Sequence, residues 1–161
     1  MGLQTGQTMQ RIKANRSHSD TLKWRWRYRT PSEAAGPTIR AHGKFVTDRD
    51  PDADGSYQIL RIKGRRNGDR ITGLVPAGTS IPGNSPYEGD NVVRRNRASQ
   101  GEQLTTGGFQ FALKNGDYSN VFFASFLSPP TYLDFHSVSP FPEGPVAPNT
   151  ETAVIFKAWI T

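Results

Sequence analysis

The sequence predicts an all-β fold, a single antiparallel β-sandwich or flattened barrel over residues 21–161, with a disordered basic arm over 1–20 before it. Three observations carry that expectation. KWRWRYRT, residues 23–30, alternates cation and ring without a break. Asn-Gly, a strong two-residue hairpin signal, occurs at 67–68 and again at 115–116. No stretch carries the 3.6-residue apolar period of an amphipathic helix, while sixteen glycines and twelve prolines supply frequent turns.

Taken in order, residues 1–20 are polar and basic without apolar periodicity, which reads as the arm. Residues 22–30 form a strand by period two. IRAHGKFVT, 39–47, reads as extended, with Gly43 as a bulge position. SYQILRIKG, 56–64, places Tyr57, Ile59 and Arg61 on one face and Leu60 and Ile62 on the other. Asn67-Gly68 then predicts antiparallel pairing of 57–65 with 70–75. Three prolines and three glycines make 75–91 a long loop, and RRNR, 94–97, belongs to another that ends near Gln103. GGFQFALKNGDY, 107–118, sets Phe109, Phe111 and Leu113 on one face before the second Asn-Gly turn. VFFASFL (121–127), TYLDFHSV (131–138) and TAVIFKAWI (152–160) are the remaining strands, the last suited to a sheet interior, and 140–149 is a Pro-rich loop.

The charge is unevenly placed. Residues 1–30 hold seven Lys/Arg against one Asp, whereas the rest of the chain holds thirteen of each sign. Arg11, Lys13, Arg16, Lys23, Arg25, Arg27 and Arg29 are therefore the candidate contacts for a polyanion, whether nucleic acid, acidic polysaccharide or an anionic membrane surface. Strict alternation, however, puts Trp24, Trp26 and Tyr28 on the face opposite the cations. A platform that stacks bases needs rings and cations on one exposed face. The favoured reading sends the rings to the core and the arginines to water, where they also deter edge-to-edge pairing.

DRDPDADG, 48–55, contains Asp50, Asp52, Asp54 and Gly55, the D-x-D-x-D-G opening of a calcium loop, and calcium is the cofactor this pattern suggests. Arg61 stands where the bidentate glutamate belongs, so a solvated acidic turn is the competing reading. His18, His42 and His136 show no metal-ligand spacing. His136 with Asp134 shares a strand face and imitates a base with its orienter, but no nucleophile motif accompanies them. Tyr87 and Tyr132, beside prolines, are candidates to line a ligand cleft. With no cysteine, disulfides, thiolate metal sites and cysteine nucleophiles are excluded. No run approaches the ~20 apolar residues of a membrane span, and 1–20 has no apolar h-region, so no signal peptide is expected.

The run G-x-F-x-T-x-D…D-x-D-G-x-Y-x-I, then R-N-G-x-x-I-T-G-L, then I-P-G-N and D-N, is continuous over about 43–95, and GGFQFALKNGDYSNVFFASFLSPPTYLDF extends it. It resembles a small all-β domain of secreted cyanobacterial and other bacterial proteins that often carry a PEP-CTERM (exosortase) sorting tail. The resemblance implies an extracytoplasmic all-β module, and it brings no catalytic residues. The chain lacks the Pro-Glu-Pro tail, the anchoring helix and the terminal Arg cluster of that pattern. The functional expectation is a non-enzymatic structural or binding module of extracellular or envelope type, its partner a polyanion or an envelope component. Polyanion binding through the basic arm and first strand, and a small hydrolase or isomerase, are the alternatives.

Overall fold

Residue alternation on β1 (Thr21–Arg29) defines the inside of the molecule. Trp24, Trp26 and Tyr28 are each 1% exposed, while Lys23, Arg25, Arg27 and Arg29 face solvent. The computed structural model describes residues 20–95, 102–141 and 151–161. Eight further strands follow: β2 (Arg40–Asp48), β3 (Tyr57–Arg66), β4 (Asp69–Leu74), β5 (Val92–Val93), β6 (Phe109–Leu113), β7 (Tyr118–Ala124), β8 (Thr131–Ser137) and β9 (Glu151–Ile160). All pairings are antiparallel. The order β2-β1-β9-β8-β7-β6-β4-β3, with β2 also bonded to β3, closes eight strands into a barrel, and β5 lies outside, paired to β3. Of the two expected architectures it is the barrel that forms, because β2 hydrogen-bonds on both sides and leaves no sheet edge open.

Rings fill the interior. Trp26 stacks on Phe45 at 5.6 Å and meets Phe109 edge-on at 5.6 Å, and Phe109 meets Phe45 edge-on at 5.1 Å. An eight-stranded barrel is just wide enough for such side chains, so this one is a packed core. Trp26 lies level with Gly43 and Gly64, which pair across β2 and β3. A Cβ on Gly43 would fall 1.9 Å from the Lys63 carbonyl oxygen, so the position permits only hydrogen.

A smaller apolar cluster sits outside the barrel. Ile81, from the 75–91 loop, covers Phe122, Ala124, Leu133 and Phe135 of β7 and β8. One outer face is thus capped by a loop, and among the described residues no such cluster caps the face built by β9, β1, β2 and β3.

Asn67-Gly68 turns with φ of 48° and 83°, as a hairpin of this kind needs. The β3–β4 ladder it joins is short, Arg65 with Arg70 and Arg66 with Asp69, and from Ile71 onward β4 pairs with β6 instead of with 57–64. At the second Asn-Gly only Gly116 has positive φ (96°), so that turn belongs to a different class. Gly43 is not a bulge; the register shift lies between Val46 and Thr47. That shift moves Arg61 to the outer face and Ile62 inward, against simple parity. β7 stops at Ala124, where the chain turns, leaving Phe126 and Leu127 exposed instead of in the strand. The basic arm lies outside the described residues except for Asp20.

Candidate functional site

The strand register gathers cations that are far apart in the chain. Outward from the barrel, Arg25 of β1 lies opposite Lys44 of β2, and Lys44 opposite Lys63 of β3. In the next row Lys157 of β9, Arg27, His42, Arg65 and Arg70 of β4 follow one another. Arg29 faces Arg40, and Arg61 lies opposite Val46, itself the partner of Lys23. All of these Lys and Arg side chains are exposed. Directly opposed strand residues stand about 4.5–5.5 Å apart at Cβ, so Arg25–Lys44–Lys63, Lys157–Arg27, Arg65–Arg70 and Arg29–Arg40 bring like charges together, an arrangement that destabilises a sheet. No Asp or Glu occurs within 23–29, 40–46 or 61–65 to offset it.

The wall carries a depression of about 700 Å³ whose lining includes Lys23, Arg25, Lys44, Arg61 and Lys63. Beside it stands Trp159, 36% exposed and opposite Arg25. The Arg27 guanidinium lies 5.7 Å from the Trp159 ring centre and the Lys157 ammonium 5.9 Å, both within cation–π range. Ring and cations thus share an exposed face here, which the tryptophans of β1 do not provide.

Lys23, Arg25, Arg27 and Arg29 are therefore four members of a larger wall, while Arg11, Lys13 and Arg16 lie outside the described residues. The cations of β2, β3, β4 and β9 were missed. Their signal was present as basic residues at every second position, Arg40, His42 and Lys44, then Arg61, Lys63 and Arg65, and needed only the seating of β2 between its neighbours.

The acidic turn is arranged differently. Asp54 Oδ1 accepts the Ser56 amide at 3.1 Å, and its Oδ2 pairs with Arg94 at 3.1 Å. These bonds, first the Ser56 amide and then Arg94, hold the Asp54 carboxyl below its ordinary pKa. Asp50 and Asp52 are exposed, and among the described residues no three metal-ligating side chains gather.

His136 and Asp134 point into one end of the barrel without bonding to each other. His136 Nδ1 lies 2.8 Å from Ser119 Oγ and its Nε2 lies 3.2 Å from Asp117 Oδ2. Asp134 instead accepts from Arg66. Burial, then the nearby Arg66 charge, lowers the His136 pKa. Burial raises the Tyr28 pKa well above its ordinary value, and the Asp134 carboxylate adds to that. Burial opposes the charge on Arg66, but Asp134 and Tyr28 together outweigh it and the guanidinium pKa is raised. Ser, His and Asp form a hydrogen-bonded chain, yet Ser119 is 0% exposed, so its hydroxyl meets no substrate from solvent.

Tyr87 is 57% exposed and, with Phe126, Glu88 and Glu151, lines a cleft of about 760 Å³. Burial raises the Glu151 pKa. Tyr132 does not join them. Its ring packs on Phe123 and Phe156, and its hydroxyl accepts from the Gln103 amide.

No family model, curated protein or solved structure matches this chain. The residues of the I-P-G-N, D-N and G-G-F-Q-F runs have a structural role. Asn84 donates to Asn120, Asn91 to the Val75 carbonyl, and Gln110 to the carbonyls of Pro76 and Thr79, tying the 75–91 loop to the barrel.

Proposed function

We propose that the chain is a non-enzymatic binding module whose ligand is a polyanion, held on the outer wall of β9, β1, β2 and β3. The row Arg25–Lys44–Lys63 carries the reading. Like charges set opposite one another cost stability, and among the described residues no ion pair to a carboxylate is formed by Arg25, Lys44 or Lys63. A polyanion supplies the missing negative charge, and release of its counterions drives association. The non-enzymatic half rests on the burial of Ser119 and on the commitment of Asp134 to Arg66. An extracytoplasmic setting, implied by the motif resemblance, fits this ligand class equally well.

The test measures affinity for a sulfated polysaccharide and for an oligonucleotide as salt is raised from about 50 to 200 mM. Affinity should fall steeply. Arg25→Ser, Lys44→Ser and Lys63→Ser together should lessen the log–log salt slope by roughly 2–3, at about 0.7–0.9 per lost contact. Salt-independent binding, or a folded triple variant with full affinity, would refute the proposal.

A further inference from the structure

We infer that the polyanion is a single-stranded nucleic acid and that Trp159 is the ring on which its bases stack. This inference rests on the polyanion reading of the outer wall and makes it specific. Phosphate, sulfate and carboxylate would each satisfy the cations. A nucleic acid also presents aromatic faces, and among the described residues the wall offers a matching surface at Trp159. Trp24 and Trp26 are 1% exposed inside the barrel, whereas Trp159 is 36% exposed among the cations. Arg25 is its cross-strand partner, and Lys157 precedes it by two on the same outward face. Arg27 already rests a planar guanidinium 5.7 Å from the indole centre. A base entering beside that pair has an aromatic plane to stack on and cations to receive its phosphates, the combination used in sequence-tolerant single-strand binding. A duplex keeps its base faces stacked inside and cannot use the ring.

Tryptophan fluorescence and affinity, measured with an oligothymidine of about 15 nucleotides, a duplex of equal length and a sulfated polysaccharide, test the inference. The single strand should change the emission and bind more tightly than the duplex. Trp159→Ala should weaken the single strand about tenfold or more, as loss of base stacking does. Trp159→Phe should retain much of the affinity, and neither change should alter polysaccharide binding. If Trp159→Ala weakens both ligands alike or neither, or if duplex binds as tightly, the stacking inference fails while the polyanion reading stands. If no ligand shows salt-dependent binding, the polyanion reading itself fails and this inference goes with it.

Discussion

Arg66 and Asp134, 68 residues apart in the chain, meet inside the barrel, where Arg66 donates Nε at 3.0 Å and Nη2 at 2.8 Å to one carboxylate oxygen. The side chains are 8% and 0% exposed. Breaking such a pair leaves an uncompensated buried charge, which costs about 3–5 kcal/mol. Asp134→Ala should therefore lower the unfolding free energy in denaturant by about that amount. Replacing both partners, Arg66→Met with Asp134→Leu, should cost much less. Equal losses in the single and double variants would show that the pair is not the cause.

Gly43 and Gly73 should respond oppositely to one added methyl group. A Cβ on Gly43 collides with the backbone of β3, whereas one on Gly73 meets nothing within 4 Å. Gly43→Ala should cost about 1–3 kcal/mol or more through overpacking. Gly73→Ala should be neutral or stabilise by about 0.4–1 kcal/mol through the unfolded chain. Thermal melts of the two variants give the comparison directly, and similar losses in both would contradict the close approach of β2 and β3.

Lys44 sits between Arg25 and Lys63, so it carries unfavourable contact on both sides. Lys44→Glu should raise the melting temperature at low salt, by about 0.5 kcal/mol of stability, and the gain should shrink as salt screens it. The same change should weaken polyanion binding. A stability gain bought with lost binding is the signature of a face held for its ligand, and a loss in both would point to a structural role for Lys44.

His136 gives the protein a pH dependence of defined sign. Its pKa is lowered from the ordinary 6.5, first by burial and then by Arg66, so the unfolded chain takes up a proton more readily than the folded one. The contribution to stability is complete above about pH 6.5, declines as pH falls below that value, and levels off below the folded pKa. Asp117, Ser119, Arg66 and Asp134 surround the ring; in His136→Gln the Arg66–Asp134 pair and the Asn115–Asp117 bonds do not involve the replaced ring. Melts from pH 7.5 downward should show a shallower decline through this window in the variant, an effect of about one proton's linkage. An unchanged slope would mean that another group sets it.

The faces of β1 were legible in the sequence because alternation over nine residues fixes a strand's inside and outside locally. The wall was not, because Arg25, Lys44 and Lys63 become neighbours only through two long-range pairings. Arg61 was further disguised by the register shift at Val46/Thr47, which breaks the parity that a sequence reading relies on. Trp159 was hidden for another reason. TAVIFKAWI reads as a continuous strand suited to a sheet interior, a position that does not say how its outer face is covered, and Ile155 and Trp159 stand 50% and 36% exposed there. The amides of Asn84, Asn91 and Gln110 hold a loop, a role that depends on partners distant in the chain.

The pairing of β1 with β9 also orders events in time. Trp24 lies opposite Ile160, so the barrel closes only when two segments far apart in the chain find each other. Joins between such distant segments are slow, because the loop entropy is spent before the contacts reward it. Until then β1 and β9 are open edges, and Trp159 is not yet beside Arg25. A long anionic strand that bridges β9 and β1 would favour the closed form over the open one by mass action. On the proposed function, the ligand would thus act as a latch on the last seam to form, and its release would loosen that seam first.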